Sequence, residues 1–182
     1  KSFIGSSLSN FSNSIFVDTK GNVYTTGCFT GTLDFDPGTN IYNLTSSSGR
    51  NAFISKLDSL GNFVWAKQFI GLGTFYGSEA SSINVDGTGN VYMTGTFAGT
   101  FDFNPGSGTN NLVASSSSGS LFVSKLDSSG NFVWAVQFSG ANQKFSNALV
   151  IDSLKNIYTA GYFNGTVDFD PGINTYNLSA PT

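Results

Sequence analysis

The stretch SIFVDTKGNVYTTGCFTGTLDFDPG, residues 14–38, returns as SINVDGTGNVYMTGTFAGTFDFNPG at 82–106 and as ALVIDSLKNIYTAGYFNGTVDFDPG at 148–172. A second block, FISKLDSLGNFVWAKQF at 53–69, returns as FVSKLDSSGNFVWAVQF at 122–138. The period is 68 residues from Gly21 to Gly89 and 66 from Gly89 to Lys155. Self-similarity at a fixed period marks a repeat architecture, in which each unit buries its apolar face against a neighbour. A residue that recurs in every unit is therefore suspected first of holding the architecture and only then of chemistry.

The repeats divide the chain into the end of a preceding unit (1–13), a first full unit (14–81), a second (82–147) and a partial third (148–182). The opening KSFIG matches Lys67-Gln68-Phe69-Ile70-Gly71 near the end of a unit, so the chain reads as an excerpt from a longer array.

Each full unit carries four strand signals. In the first unit these are Ser14–Asp18, Val23–Phe29, Phe53–Asp58 and Phe63–Phe69. Asp18-Thr19-Lys20-Gly21-Asn22 joins the first two as a hairpin connection, the aspartate accepting from nearby amides and the glycine supplying positive φ. Asp58, Asp86, Asp127 and Asp152 open comparable turns. Lys155 stands where the last of these turns lacks its glycine, so Lys155 or Asn156 must take that conformation at a cost. The strands are apolar on both faces (Val23 and Phe29 on one, Tyr24 on the other), which requires each sheet to lie between neighbouring sheets. The expected fold is all-β: a β-propeller-like array of four-stranded antiparallel blades. Between strands two and three about 20 residues form an inserted β-hairpin turning at Asp36-Pro37-Gly38, Asn104-Pro105-Gly106 and Asp170-Pro171-Gly172.

Composition narrows the function. With 39% apolar and 15% aromatic residues the chain has ample material for a core. A net charge of −3 gives no basic footprint for nucleic acid. No apolar run approaches the ~20 residues that span a bilayer. Histidine is absent, and Glu79 is the one glutamate. Acids repeated identically in successive units are the opposite of a differentiated acid–base pair, so an enzyme is not expected. Cys28, whose counterparts are Thr96 and Tyr162, reads as a packing residue.

The pattern VDxxGNVYxTG followed by FxSKLDxxGNFVWAxQF resembles the bacterial β-propeller repeat known as the SBBP repeat. The inserted DFDPG…NL is similar to the variant found in large secreted proteins of Bacteroidetes. The resemblance covers essentially the whole chain. It implies an extracellular or cell-surface location and a structural or adhesive role, with other repeats of the same protein or surface proteins as partners.

Two candidate sites stand out. Asp34 and Asp36, Asp102 and Asn104, and Asp168 and Asp170 are spaced two apart, so each pair points to one face of a strand. Oxygen ligands of this kind suit calcium, but the same residues suit the shaping of a Pro-Gly turn. Trp65 and Trp134, with the hairpin aromatics Tyr42 and Tyr176, are the candidate platforms for a glycan in a lectin-like alternative, against which stands plain packing between blades. The hairpin tips TNIYN, SGTNN and INTYN vary most between units and are expected to stand off the blades as contact surfaces.

Overall fold

The computed structural model describes residues 4–5, 10–72, 77–116, 118–140 and 144–181, and most of the expected preceding unit (1–13) lies outside them. Among the described residues the regular structure is entirely β-strand. The first unit holds β2 (Phe11–Val17), β3 (Val23–Asp34), β4 (Asn43–Leu57) and β5 (Phe63–Gln68), preceded by β1 (Ile4–Gly5). The first unit ends in the short tail strand β6 (Ile70–Gly71), and the second blade holds β7 (Ser78–Val85), β8 (Val91–Phe97), β9 (Thr100–Asp102), β10 (Asn111–Val113), β11 (Ser120–Leu126) and β12 (Phe132–Gly140). The third holds β13 (Lys144–Ile151), β14 (Ile157–Phe163), β15 (Gly165–Asp168) and β16 (Asn177–Ala180).

The antiparallel order is β2-β3-β4-β5 in the first unit and β7-β8-β11-β12 in the second. The third unit has β13 on β14. The long strands β3 and β4 run out of the blade into the inserted hairpin, where Asp34 faces Asn43; in the second unit β9 and β10 take that part.

The first strand of every unit begins three or four residues earlier than alternation indicates, at Phe11, Ser78 and Lys144. A bulge is the cause. Pairing steps from Ser12↔Gly27 to Ser14↔Thr26, from Ala80↔Gly95 to Ser82↔Thr94, and from Ser146↔Gly161 to Ala148↔Ala160. The extra residue breaks the period of two, so the pattern upstream of it is out of phase.

The connecting turns share one hydrogen-bond set. Gly21 N donates to Asp18 O at 2.9 Å and Asp18 N to Asn22 O at 3.0 Å, with Gly21 at φ +80°. In the third unit Lys155 occupies that position at φ 67°, a left-handed conformation that costs a non-glycine residue about 1 kcal/mol or more. Its ammonium lies 3.9 Å from Asp86 Oδ2, an ion pair worth a few tenths of that. Lys155→Gly is therefore expected to raise the urea midpoint, with a net gain of about 0.5 kcal/mol. A lowered midpoint would mean that the turn draws more from the lysine than from its backbone.

Comparison of equivalent positions shows how the units stack. Ile15 is 65% exposed, whereas its counterparts Ile83 and Leu149 are 4% and 3% exposed because the preceding blade covers them. In the opposite sense Tyr24 and Tyr92 are buried by the following blade and Tyr158 is open. Covering one such aliphatic side chain contributes about 1.5–3 kcal/mol. The junction between the first two blades gathers Tyr24, Ile54 and Trp65 with Ile83, Val85, Met93 and others into one buried cluster. Backbone amides at the same places bond across blades: Ile83 N donates to Ser14 Oγ at 3.3 Å and Leu149 N to Ser82 Oγ at 3.0 Å.

A second link joins neighbouring blades. The tail that follows a unit's outermost strand leaves its own sheet and pairs with the hairpin of the next unit. Ile70 and Gly71 face Asp102 and Phe101, and Ser139 and Gly140 face Asp168 and Val167. Ile4 and Gly5 face Asp34 and Leu33 in the same way. Leu72 N extends the middle clasp by donating to Thr100 O at 2.8 Å. At Ser139-Gly140 β12 is continuous through both sheets, so one strand stitches the second blade to the third hairpin. The hairpin is thus a clasp at its base and stands clear only at its tip, which amends the expectation of a structure standing wholly off the blade.

Candidate functional site

The inserted hairpins are the part of each unit that combines a rigid base with an open tip. Their rigidity begins in the [DN]-F-[DN]-P-G sequence. Asp34 Oδ1 accepts from the amides of Asp36 at 3.0 Å and Tyr42 at 2.8 Å, and Asp36 Oδ1 accepts from Gly38 N at 2.7 Å. Asp102 Oδ1 accepts from Asn104 N at 2.9 Å and Asn110 N at 2.8 Å, and Asn104 Oδ1 from Gly106 N at 2.9 Å. Asp168 Oδ1 accepts from Asp170 N at 3.0 Å and Tyr176 N at 2.8 Å, and Asp170 Oδ1 from Gly172 N at 2.7 Å. All six candidate calcium ligands therefore shape turns, one oxygen of each being engaged by backbone amides. Calcium takes six to eight oxygens. Among the described residues no group of three or more Asp, Glu, His or Cys side chains gathers around one point.

The phenylalanine between the acids points the other way. Phe35 packs on Phe29 and Phe53, and Phe103 on Phe97 and Phe122. The clasping tail adds its own ring: Phe69 lies 5.1 Å from Phe103 and Phe138 lies 6.1 Å from Phe169. What remains exposed is the tip. Ile41 is 74% exposed and Ile173 is fully exposed, while the middle tip carries Ser107, Gly108 and Thr109 and is polar.

The four candidate stacking rings occupy different settings. Trp65 is 8% exposed, edge-on to Tyr24 at 6.3 Å, with Nε1 donating to Ser128 O of the next blade at 3.4 Å. Its ring faces are covered, so it has the blade-packing role and no open surface for a sugar. Trp134 repeats the contact with Tyr92 at 6.3 Å and is half-buried. Tyr42 lies 4.6 Å from the Phe63 ring with its hydroxyl donating to Ala66 O at 3.4 Å, and Tyr176 is exposed. Among the described residues none of the four touches another's ring.

Two clefts flank the junction of the first and second blades. One, of about 360 Å³, runs between their turns and is lined by Asp18, Lys20, Tyr24, Lys56, Asp86 and Ser128. Lys56 Nζ sits 5.1 Å over the Tyr24 ring. Burial, with the Asp18 charge behind it, pushes the Tyr24 hydroxyl up to about 12. The other, of about 420 Å³, includes Thr30, Arg50, Gly77, Glu79 and Thr96. Glu79, for which the sequence suggests no partner, meets Arg50 at 3.2 Å and Asn13 Nδ2 at 2.9 Å. Burial and then the Glu79 charge push the nearby Cys28 thiol up to about 11, so it is held protonated and unreactive.

The turn aspartates are the electrostatic constant of the chain. Burial by itself would raise the Asp86 carboxyl, but hydrogen bonds from Thr88 and Asn90 together outweigh it and hold the group far below the usual carboxylate range. Asp18 and Asp127 are lowered by the same balance, Asp58 and Asp152 chiefly by the side chains of Asn62 and Asn156. A carboxyl whose pKa is depressed in the folded state contributes stability above its unfolded value of about 4, and that contribution is lost as pH falls through the folded value. Unfolding free energy is expected to be flat near neutrality and to decline below about pH 4. Asp86→Asn should flatten part of that decline in denaturant melts taken from neutral pH to about pH 2. A slope unchanged by the substitution would place the loss elsewhere.

Stacked four-stranded antiparallel blades, repeated at one period and clasped to one another, define a β-propeller-like repeat protein. No family model matches the chain. In a match 155 positions long that covers 79% of the chain, it is 36% identical to an uncharacterized WD repeat-containing protein of Acanthamoeba polyphaga mimivirus. The chain spans about a tenth, 11%, of that relative's length. WD repeats build propeller blades, which agrees with the sheets seen here.

The residues that sequence reasoning missed are those that join blades: Asn13, Arg50, Lys144 and the tails at 70–71 and 139–140. Lys144 is buried and donates to Gly119 O at 2.9 Å and Gly140 O at 2.8 Å, fixing the third blade to the second. The recurrence of Phe-Ile-Gly and Phe-Ser-Gly after the fourth strand was the available signal for the tails.

Proposed function

We propose that this chain is a stretch of a non-catalytic protein-interaction scaffold, in which stacked blades hold a row of hairpin tips at fixed spacing. The observation that carries the reading is the pairing of a fixed base with an apolar tip. Ile41 and Ile173 project into solvent from hairpins whose bases are held by aspartate–amide bonds and by the neighbouring blade's tail. Apolar side chains presented on a preorganised backbone lose little entropy when a partner covers them. The likeness to a WD repeat-containing protein supports the same reading. The finer setting within this proposal, an extracellular or cell-surface adhesive protein of the SBBP repeat type, rests on the repeat resemblance alone.

The test is affinity capture with the wild-type chain and with an Ile41→Ser/Ile173→Ser variant of unchanged melting behaviour. Proteins held by the wild type and lost by the variant are the expected result. An identical set from both chains would remove the tips from the contact surface. Specific hits on a glycan array, retained by the variant, would move the function to sugar binding elsewhere on the blades.

A further inference from the structure

The fourth strand of a blade has one edge on the third strand and one edge facing out of the blade. Among the described residues no strand pairs with the outer edge of β5, although a complete second blade follows it. β12 pairs outside its own blade only at Ser139 and Gly140, so its outer edge is open across residues 134–138 as well. Phe69 N donates to Ala52 O at 3.0 Å. The two-residue alternation of an antiparallel ladder therefore turns the N–H and C=O of Ala66 and Gln68 away from β4. Ala135 and Gln137 hold the same register against β11 and face outward in the same way.

The two edges differ in their protection. On β5 Lys67 supplies a charge, and the Tyr42 hydroxyl, reaching across from the hairpin, donates to the outward carbonyl of Ala66 at 3.4 Å. Lysine and covering side chains are means by which a sheet edge refuses another strand. On β12 both are gone. Val136 stands where β5 has Lys67, and Asn110 holds the place of Tyr42 with a shorter side chain and no phenol. Ala66 is fully buried, whereas Ala135 is half-buried. Ala135 packs toward the core shared with the first blade, which is complete.

We propose that this edge of β12 is a self-association site, on which the same strand of a second copy pairs antiparallel about a two-fold axis through Val136. The occupant is set by the strand's complementarity to itself. Ala135 of each copy exchanges backbone hydrogen bonds with Gln137 of the other, Trp134 lies against Phe138 of the other, and the two Val136 side chains meet on the axis. Aromatic and β-branched cross-strand pairs favour such a ladder, and residues 132–140 carry no charge. β5 is unsuited to the same pairing, because Lys67 would oppose Lys67 on the axis. An isologous contact uses the edge once per copy, so association closes at a dimer. The small surface of one strand edge makes that dimer weak and concentration-dependent.

The test is sedimentation equilibrium on the 182-residue chain between about 10 µM and 1 mM, with amide exchange measured at both ends of that range. A monomer–dimer equilibrium is expected, with exchange slowed at Ala135 and Gln137 as concentration rises. Val136→Lys and Asn110→Tyr each copy the first unit's residue into the second, so the blade should accept them. Each is expected to weaken the dimer by about tenfold or more while melting stays that of the wild type. A chain that stays monomeric at about 1 mM would overturn the proposal. So would a dimer of equal strength in both variants, which would place the contact on another surface.

Discussion

Gly95→Ala will cost about 3 kcal/mol or more, enough to unfold a marginal fraction of the chain at ambient temperature. The reason is the bulge on β7. Pairing jumps from Ala80↔Gly95 to Ser82↔Thr94, which swings the Glu79 carbonyl over the α-carbon of Gly95. A methyl group there would collide with the Glu79 carbonyl oxygen and would lie 2.8 Å from Ala80 Cα and 2.9 Å from the Glu79 carbonyl carbon. All three atoms are backbone, so no side chain can turn aside and the strands themselves must part. Gly27 and Gly161 meet the carbonyls of Phe11 and Phe145 in the same way, which makes the position a requirement of the bulge in every unit. Gly87→Ala is the control, since nothing lies within 4 Å of its added methyl. Urea melts of the two variants should differ sharply. A Gly95→Ala chain as stable as the wild type would mean that the bulge is not formed.

The second large effect is expected at Phe122. Phe122→Ala should destabilise by about 3–5 kcal/mol through lost burial and the cavity left behind. The ring is fully buried and lies 4.8 Å from Phe103, 6.2 Å from Phe97 and 6.3 Å from Phe69. Those neighbours belong to three different pieces of chain: the hairpin, the second strand and the clasping tail of the preceding unit. Removing the ring therefore loosens a blade, its hairpin and its link to the first unit together. Val133→Ala, at an exposed site in β12, should change stability by less than about 0.5 kcal/mol. Thermal melts distinguish the outcomes. A loss confined to about 1 kcal/mol would show that the hairpin and tail do not share a core with the blade.

Much of this arrangement is legible before any coordinates. Alternation at Ile15 and Val17, the Asp-x-x-Gly-Asn turns and the recurrence of both blocks give the strands, their order within a blade and the stacking of blades. The residues before each bulge are not legible in this way, because one extra residue at Asn13, Ser81 or Asn147 inverts the phase of the pattern. The clasp is hidden for a different reason. Ile70-Gly71 pairs over two residues with a partner some thirty positions away, and so short a strand carries no period to detect. The acids of the hairpin show the limit of composition. Asp34 and Asp36 satisfy the demands of a cation ligand and of a turn equally well on paper, and the amides of Asp36, Gly38 and Tyr42 are what engage them. Trp65 carries the same lesson, since its covering surface, the turn at Ser128, lies 63 residues further along the chain.

The central claim is that successive units are neighbouring blades joined by a tail that pairs into the next unit's hairpin. The most direct measurement is a map of through-space proton contacts by NMR on the isotope-labelled chain. Cross-strand contacts are predicted between Ile70-Gly71 and Phe101-Asp102, and between Ser139-Gly140 and Val167-Asp168. Side-chain contacts should accompany them between Phe69 and Phe103 and between Phe138 and Phe169. A map in which each tail contacts only its own unit, with Ile83 and Leu149 as solvent-exposed as Ile15, would contradict the account.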